Sequence, residues 1–355
     1  MTALLILMTI MNLMTRTTSL LSRYDYCKYR VHLLKRRQRI VSRLYSNSDA
    51  QQDANDVEND KMSSSYHPNS HSFQHNRLKN RLKKGLHLTG VVSGQYRDTD
   101  HVEMLGLLGY DFLWADAEHS SASPDDIASM ILAAERRGLP TLVRIGYGYQ
   151  NIIGHVQKYL VSGAQGILLP QCESGEDVER IIKAVKFPPD GERGLAGERW
   201  NAWGLATDPK DSDSTLSNPL SLSKCIESAN QNSVVGVLIE NQRGIDALDE
   251  IMNVPGLDMI FLAPTDLSAD MGLHGQIRHP KVRAKIEETG KRIQQFNEER
   301  ASTIAAGTLV LNAEDYEYWR ERNFQVLCGV AQCMFVDGAK SLLDKIQNYE
   351  QRRNE

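Results

Sequence analysis

The sequence predicts an α/β protein with the fold of a (β/α)8 TIM barrel. Eight apolar segments of strand length follow one another between residues 88 and 330, with helical patterns between most of them. Their apolar residues are consecutive rather than alternating, which indicates strands buried on both faces of a parallel sheet. The alternation covers about 270 residues, close to the roughly 250 residues of a typical barrel, and fits a barrel better than a doubly wound sheet.

The element boundaries are read from the apolar runs and from helix-capping residues. The clearest helix follows Ser123, a good N-cap, with Pro124 at the first helical position and two aspartates in the first turn. The predicted strands are Leu88–Ser93, Asp111–Asp116, Thr141–Ile145, Gly166–Pro170, Val234–Glu240, Asp258–Pro264, Ser302–Thr308 and Gln325–Val330. The predicted helices are Arg77–Lys84, Pro124–Arg137, Gln150–Ser162, Gly175–Val185, Gly244–Met252 and Pro280–Arg300.

Residues Gly191–Gln231 form the longest connection between two predicted strands and show no clear periodicity. We therefore predict a long loop there. Long loops at the C-terminal rim of a barrel are usually lids or binding loops. Two arginines in this connection, Arg193 and Arg199, could meet an anionic substrate or could simply be solvated.

The first 77 residues differ in composition from the rest of the chain. Residues 1–45 are predicted to be a mitochondrial presequence, because the region up to residue 46 holds nine Lys and Arg but only one acid. Two alternatives stay open: a secretory signal, since residues 1–14 are apolar, and an upstream extension that the natural gene product lacks. Residues 46–77 are polar and are predicted to be a disordered linker. The predicted location is the mitochondrial matrix if this N-terminus is genuine, and otherwise the cytoplasm.

The charge balance and the cysteine pattern exclude several classes of function. Beyond residue 46 the chain has 32 basic and 44 acidic residues, which argues against nucleic-acid binding because phosphate binding needs a basic face. No apolar run is long enough to span a bilayer, so no membrane role is expected. The five cysteines are scattered without a CxxC pair, which is typical of free thiols rather than of disulfides or a zinc site.

Two of the apolar runs lead into carboxylates. One strand ends at Glu240, and the run that starts at Asp258 leads into Asp266. The two acids are 26 residues apart, so neighbouring strands could bring both to the rim of the sheet, where α/β enzymes place their chemistry. Two hard oxygen ligands suit Mg²⁺ or Mn²⁺, with water or substrate completing the shell. In the alternative reading, Asp266 caps the turn after its strand and Glu240 is a surface acid.

Further polar residues follow the second and third predicted strands. The second strand ends at Asp116 and is followed by Glu118 and His119, and Arg144 lies at the end of the third. A histidine at a barrel rim is a candidate acid or base because its pKa lies near neutrality. An arginine there presents five donors that can stabilise an oxyanion. Each also has a structural reading: His119 as a hydrogen-bonding residue, and Arg144 as an ion-pair partner of Asp116 or Glu118.

These motifs together resemble the HpcH/HpaI aldolase family, the metal-dependent class II aldolases of 2-oxo acids. The resemblance covers residues from about 80 to 346, and its sharpest signature is Pro264–Gly272, with the sequence PTDLSADMG. The other matching motifs are Asp116–His119 (DAEH), Leu142–Arg144 (LVR), Gly163–Pro170 (GAQGILLP), Phe187–Pro189 with Gly191 and Arg193–Gly194, and Ile239–Glu240.

The resemblance assigns roles to residues of this chain. It implies that Glu240 and Asp266 bind the divalent cation, Mg²⁺ or Mn²⁺ with Co²⁺ also possible. It implies that Glu118 orients water on that cation.

The resemblance also implies the groups that contact the substrate. Arg144 would stabilise the enolate oxygen of pyruvate, and His119 would be the general acid/base. Backbone amides around Ala263 and Thr265 would hold the pyruvate carboxylate.

Four features depart from the family's usual pattern. Many members have an Asp that pairs with the catalytic His where this chain has Val161, which cannot orient an imidazole, so that Asp116 could take over this task. Ala263 stands where Gly is common, and Ala331 where Asp is usual. The segment Leu205–Gln231 is longer than usual, so the pocket could have diverged.

We therefore predict a metal-dependent aldolase, a carbon–carbon lyase that cleaves a 4-hydroxy-2-oxo acid to pyruvate and an aldehyde. Two alternatives stay open: a decarboxylase of oxaloacetate-like acids that uses the same site, and a catalytically degenerate barrel that serves as a binding protein. The resemblance also implies a homo-oligomer in which the C-terminal helix, with Lys340–Arg352 as the candidate, is exchanged between subunits.

Overall fold

A computed structural model describes residues 76–146, 152–208 and 213–354. The predicted presequence, and the predicted linker as far as residue 75, lie outside the described residues. The last two residues assigned to the linker belong to the folded body. Asn76 is buried and caps the first helix, its side chain accepting a hydrogen bond from the Lys79 amide, and Arg77 is the first residue of that helix.

Eight parallel strands close into a barrel in sequence order, which confirms the predicted fold. All eight predicted strands are present, and their bounds differ from the prediction by at most three residues. Seven strands are buried almost throughout, as expected for strands covered on both faces. The strands are β1 Leu88–Ser93, β2 Phe112–Asp116, β3 Thr141–Arg144, β4 Gly166–Leu169, β5 Val234–Ile239, β6 Met259–Leu262, β7 Ala305–Leu309 and β8 Val326–Val330.

Helices surround the barrel and run back from the C-terminal rim, where the strands end, to the N-terminal end, where they begin. Within the described part of the chain, no helix is both long and apolar enough to cross a membrane. The helices are α1 Arg77–Lys83, α2 Thr99–Leu108, α3 Pro124–Arg136, α4 Ile152–Val161, α5 Gly175–Val185, α6 Leu222–Asn232, α7 Gln242–Asp246, α8 Leu248–Met252, α9 Pro264–Asp270, α10 Pro280–Arg300, α11 Ala313–Arg320 and α12 Ala331–Asn354.

The barrel interior is filled by large side chains that face glycines on other strands. Gly90 makes room for the ring of Phe112, since a Cβ at Gly90 would lie 2.3 Å from that ring. Gly307 does the same for Phe261. Helix α1 closes the N-terminal end, where its residues Leu78 and Leu82 join the interior cluster. The interior is therefore a packed core that supports the rim above it.

The connection between α5 and β5 lies at the N-terminal end of the barrel, because α5 ends there and β5 begins there. The described part of this connection is therefore not a lid or binding loop at the C-terminal rim of the same chain. The prediction of an uninterrupted loop over Gly191–Gln231 is wrong, since the helix α6 begins at Leu222. This helix was missed because its sequence is rich in Ser and Asn, which favour caps and turns. Ser221 caps it and Cys225 and Ala229 anchor it.

The two arginines of this connection are structural. Arg193 is buried, and its guanidinium carbon lies 4.3 Å from the centroid of the Phe187 ring. Arg199 donates to Glu135 and to the carbonyl of Ser162, which lie at the N-terminal end of the barrel. Neither arginine is placed to meet a substrate at the C-terminal rim.

Candidate active site

The polar residues predicted at strand ends gather at the C-terminal rim. Asp116 and Arg144 are register partners at the ends of β2 and β3. Glu240 is buried and directly follows β5, while Asp266 is exposed and lies in the first turn of α9, just after the neighbouring strand β6. Asp266 is therefore a helix residue rather than the last residue of a strand. The position at the rim is still the predicted one.

Arg144 is held by two acids from the second strand and the loop after it. Its Nε and Nη2 donate to the two oxygens of Asp116 at 2.9 and 2.6 Å. Its Nη1 lies 3.2 Å from Oε2 of Glu118. Burial is the largest single influence on the pKa of Asp116 and raises it, but the hydrogen bonds and charge of Arg144, together with hydrogen bonds from the amides of Glu118 and His119, lower the pKa overall. The ion pair predicted as the structural reading therefore exists, and it also aims a fixed guanidinium at the rim.

The carboxylates of Glu118, Glu240 and Asp266 lie close enough for their charges to interact. Burial, together with the charge of Asp266 and the other acids nearby, raises the pKa of Glu118 to about 7 and that of Glu240 to about 7. Oε2 of Glu240 accepts a hydrogen bond of 2.9 Å from the Gln171 amide, whereas its Oε1 is buried without a hydrogen-bond partner. Buried acids that repel one another and leave an acceptor unused are the donor set that a divalent cation would satisfy.

The carboxylate oxygens of this site also suit a hard divalent cation that keeps some of its water ligands. Among the described residues, no group of three or more His, Cys, Asp and Glu side chains is arranged to hold a metal ion. Glu240 and Asp266 would therefore supply two oxygen ligands, with water and substrate supplying the rest. The residues present fit the implied metal.

The raised pKa values predict how stability depends on pH. Glu118 and Glu240 hold protons up to about pH 7 in the folded chain but only up to about pH 4.5 when unfolded. The metal-free protein should therefore lose stability as the pH rises between these values, because the folded state binds more protons there. Thermal unfolding in EDTA across this window tests it. A flat profile, or the same slope in Glu240→Gln, would contradict the assignment.

His119 lies at the outer edge of the site. Its side chain is 59% exposed, and its Nε2 is 3.7 Å from Oε2 of Glu118. Asp116 accepts a hydrogen bond of 3.3 Å from the backbone amide of His119, so it orients the loop rather than the ring. Val161 is the last residue of α4, at the opposite end of the barrel. Within one chain, a carboxylate at position 161 would therefore not reach His119.

The backbone amides predicted to hold a carboxylate lie at the start of α9. The Ala263 amide donates to the carbonyl of Ile239 at 3.1 Å, so it is not free for a substrate. Pro264 has no N–H. The amides of Thr265 and Asp266 are the next along the chain, and they lie in the first turn, where helix amides have no acceptor within their own helix. Of the two predicted positions, Thr265 therefore has an amide without an acceptor in its own helix, as does Asp266, whereas the Ala263 amide is occupied.

Three residues of the site were not found by sequence reasoning. Gln171 adopts a left-handed conformation with φ of 49° and presents its amide to Glu240. Gln95 donates to the backbone carbonyl of His119 at 2.9 Å. Trp114 lies beneath Arg144, whose guanidinium carbon is 5.6 Å from the indole centroid. The sequence gives no signal for the first two, and Trp114 reads as an ordinary core residue.

The sequence is similar to those of known aldolases. The family model described as HpcH/HpaI aldolase/citrate lyase matches residues 96–330. The chain is 31% identical over 251 residues to the hydroxypyruvate/pyruvate aldolase of Roseovarius nubinhibens, which covers 70% of this chain and 89% of that protein. It is 29% identical over 211 residues to the 2-keto-3-deoxy-L-rhamnonate aldolase of Escherichia coli K12, which covers 59% and 70%.

A solved structure extends the likeness to the fold. An HpcH/HpaI aldolase/citrate lyase family protein from Burkholderia cenocepacia matches with a TM-score of 0.63 and 26% identity, over 77% of this chain and 100% of that one. The family model covers more than half of the chain, and the Roseovarius relative more than two thirds of it. The protein therefore belongs to the HpcH/HpaI aldolase/citrate lyase family.

Proposed function

We propose that the protein is a class II aldolase that cleaves a 4-hydroxy-2-oxo acid to pyruvate and an aldehyde with the help of a divalent cation. The observation that carries the proposal is the charged cluster at the C-terminal rim, in which Glu240 interacts with both Asp266 and the fixed guanidinium of Arg144. Family membership and the names of the related aldolases support the same enzyme class, as the sequence predicted. The intact set of charged residues also speaks against a degenerate barrel that only binds a ligand.

The reaction needs charge stabilisation where the carbon–carbon bond breaks. The bond between C3 and C4 breaks, its electron pair passes into the enolate of pyruvate, and the 4-hydroxyl loses its proton as the aldehyde forms. A bound divalent cation supplies Lewis acidity toward the 2-oxo oxygen. Arg144 donates hydrogen bonds where the enolate charge develops, and the buried Asp116 keeps its guanidinium in place.

Two further groups of the chain handle the proton and the carboxylate. His119 is accessible from solvent and takes the hydroxyl proton, and afterwards a proton is delivered to C3 to give pyruvate. The amides of Thr265 and Asp266 bind the substrate carboxylate. Ala263 lies next to these amides but does not donate to the carboxylate, because its own amide is bonded to the carbonyl of Ile239.

Decarboxylation of an oxaloacetate-like acid is the second candidate reaction. The exposed position of His119 is the observation that supports it. The imidazole is mostly exposed and has one acidic neighbour at 3.7 Å, so its orientation is weakly fixed. Decarboxylation passes through the same enolate but does not need a base for an aldehyde hydroxyl. The same Arg144 and carboxylates would serve it.

One assay separates these reactions. Purified protein is mixed with oxaloacetate or with each of a panel of 4-hydroxy-2-oxo acids, in Mg²⁺, Mn²⁺ or Co²⁺, and pyruvate is followed with lactate dehydrogenase. Aldolase activity predicts pyruvate and aldehyde in equal amounts, lost in EDTA and restored by metal. Pyruvate from oxaloacetate alone would favour the decarboxylase. A folded protein that releases no pyruvate from any of these acids would exclude both reactions.

The proposal includes a homo-oligomer, supported by the surface of the C-terminal helix. Helix α12 exposes a series of large apolar side chains that a solitary chain would leave in water. Its exposed large apolar residues are Met334, Phe335, Val336, Leu342, Leu343, Ile346 and Tyr349. An exposed apolar face is also present on α2, at Met104, Leu107 and Leu108. We propose that α12 of one chain packs on another copy of the protein.

We expect a double substitution, Leu342→Lys with Leu343→Lys, to convert the oligomer to a monomer. Buried lysines at an apolar interface are not compensated, while on a free helix they cost little. Light scattering coupled to size-exclusion chromatography measures the change. Lys340→Glu with Lys345→Glu alters the charge of the same helix without touching its apolar residues and serves as the control. An unchanged mass for the leucine variant would contradict the interface.

A further inference from the structure

Trp114 forms the floor beneath the charged residues of the rim. It lies two residues before Asp116 on β2, so both side chains point into the barrel, Trp114 one level deeper. The indole is 2% exposed, and the guanidinium carbon of Arg144 lies 5.6 Å from its ring centroid. On another side, Phe261 from β6 meets the indole edge to face, with centroids 4.8 Å apart and planes at 78°.

The contacts around Arg144 divide into polar and aromatic ones. Asp116 and Glu118 hold the nitrogens of the guanidinium, and the indole offers the group a π face. Indole has the strongest attraction for a cation among the aromatic side chains, and the attraction grows where water is excluded. The indole therefore gives the guanidinium a third contact, in addition to those with Asp116 and Glu118.

Hydrogen bonding does not account for an indole at this position. Nε1 of Trp114 is buried and makes no hydrogen bond to another residue of the described chain, so a bond from the N–H to the protein does not explain an indole here. The ring packs within the interior cluster, where it meets Phe261, and it also contacts the guanidinium of Arg144. Since packing alone could be met by a phenyl or aliphatic side chain, the cation contact is the distinguishing role.

We propose that Trp114 is a positioning residue that fixes the guanidinium of Arg144 at the height where it meets the substrate oxygen. The inference rests on the proposed function for its catalytic consequence, but the contact itself does not. Without the aromatic face, Asp116 and Glu118 alone set the tilt of the guanidinium, and the stabilisation it gives to developing charge weakens. The consequence falls on kcat more than on KM, because Arg144 acts where charge develops.

The kinetic experiment compares two substitutions of Trp114 with a packing control. We expect Trp114→Leu to lower kcat about tenfold with little change in KM, and Trp114→Phe, which keeps a π face, to stay within about threefold. Phe261→Leu removes an aromatic ring that touches Trp114, so it reports the effect of lost packing. Equal losses of kcat in Trp114→Leu and Phe261→Leu, or no rescue by Phe, would overturn the proposal.

A second measurement does not depend on turnover. Arg144→Lys moves the charge away from the indole face, so we expect it to change the tryptophan emission of the metal-free protein. The same substitution in a Trp114→Phe background should leave the emission of the other three tryptophans unchanged. An emission change confined to chains with Trp114 supports the contact even if no 2-oxo acid is cleaved, in which case only the proposed function fails. Turnover without any such change would overturn the positioning role.

Discussion

We expect Glu240→Gln to lower the metal-dependent release of pyruvate by roughly a thousandfold, and Asp266→Asn to do the same. Lewis-acid stabilisation by a bound cation is worth several kcal/mol, and each 1.36 kcal/mol is a factor of ten in rate. The amide side chains have nearly the same shape but carry no charge, so they bind Mg²⁺ or Mn²⁺ far more weakly. The measurement is the coupled pyruvate assay across metal concentrations, together with calorimetric titration of Mn²⁺.

The fold should survive these substitutions. Gln at position 240 can still accept the hydrogen bond from the Gln171 amide, and it removes a charge that repels Glu118 and Asp266. The metal-free variant should therefore be at least as stable as the parent above pH 7. Asp249→Asn, an exposed acid that pairs with Arg292, removes the same charge outside the site and serves as the control. Full activity in Glu240→Gln would rule out this residue as a metal ligand.

The sequence was most informative where burial determines the pattern. A strand enclosed by helices on one side and by the barrel interior on the other must be apolar at consecutive positions. The eight strands could therefore be predicted from the runs of apolar residues in the sequence. A carboxylate directly after such a run, as at Glu240, has to lie at the rim. The same logic placed Arg144 beside Asp116, because neighbouring parallel strands end together.

Features that depend on three-dimensional contacts could not be read in this way. Helix α6 is stabilised by its cap and two buried residues rather than by helix propensity, so its polar sequence resembles a loop. The end of the barrel at which a long connection lies depends on whether it follows a helix or a strand. The helix Gly175–Val185 was predicted with the bounds that α5 has, so the placement of this connection at the N-terminal end could have been read from the sequence.

In the active site too, some features could be predicted from the sequence and others depend on three-dimensional contacts. The charged residues could be predicted as a set, but their partners could not. The Ala263 amide is occupied by a hydrogen bond to the carbonyl of Ile239. This bond joins the ends of two neighbouring strands, and nothing in the local sequence requires it. The distance between Val161 and His119 likewise follows from the direction of α4. Sequence motifs therefore identified the chemistry, while the geometry decides which atoms remain free to perform it.

Arg144→Lys should lower kcat by roughly a hundred- to a thousandfold while the protein stays folded. Removing one preorganised donor to a developing oxyanion costs this much in other enzymes. Lysine keeps the positive charge that Asp116 and Glu118 require, but it cannot reproduce the paired hydrogen bonds of 2.9 and 2.6 Å to Asp116. Its ammonium group will be drawn to one acid and away from the substrate. Arg144→Met is a poorer test, because it leaves buried carboxylates without a cation.

Arg278→Lys is the matched control for this change. Arg278 makes a similar paired contact with a buried carboxylate, Asp315, with Nη2 2.7 Å from Oδ2, but it lies outside the charged cluster of the rim. Steady-state kinetics and thermal unfolding are measured for both variants. If Arg144→Lys keeps more than about a tenth of the parental kcat, Arg144 is only the ion-pair partner of Asp116. If kcat falls in Arg144→Lys but not in Arg278→Lys, at similar stability, the guanidinium acts on the reacting oxygen, because loss of an ion pair alone would affect both.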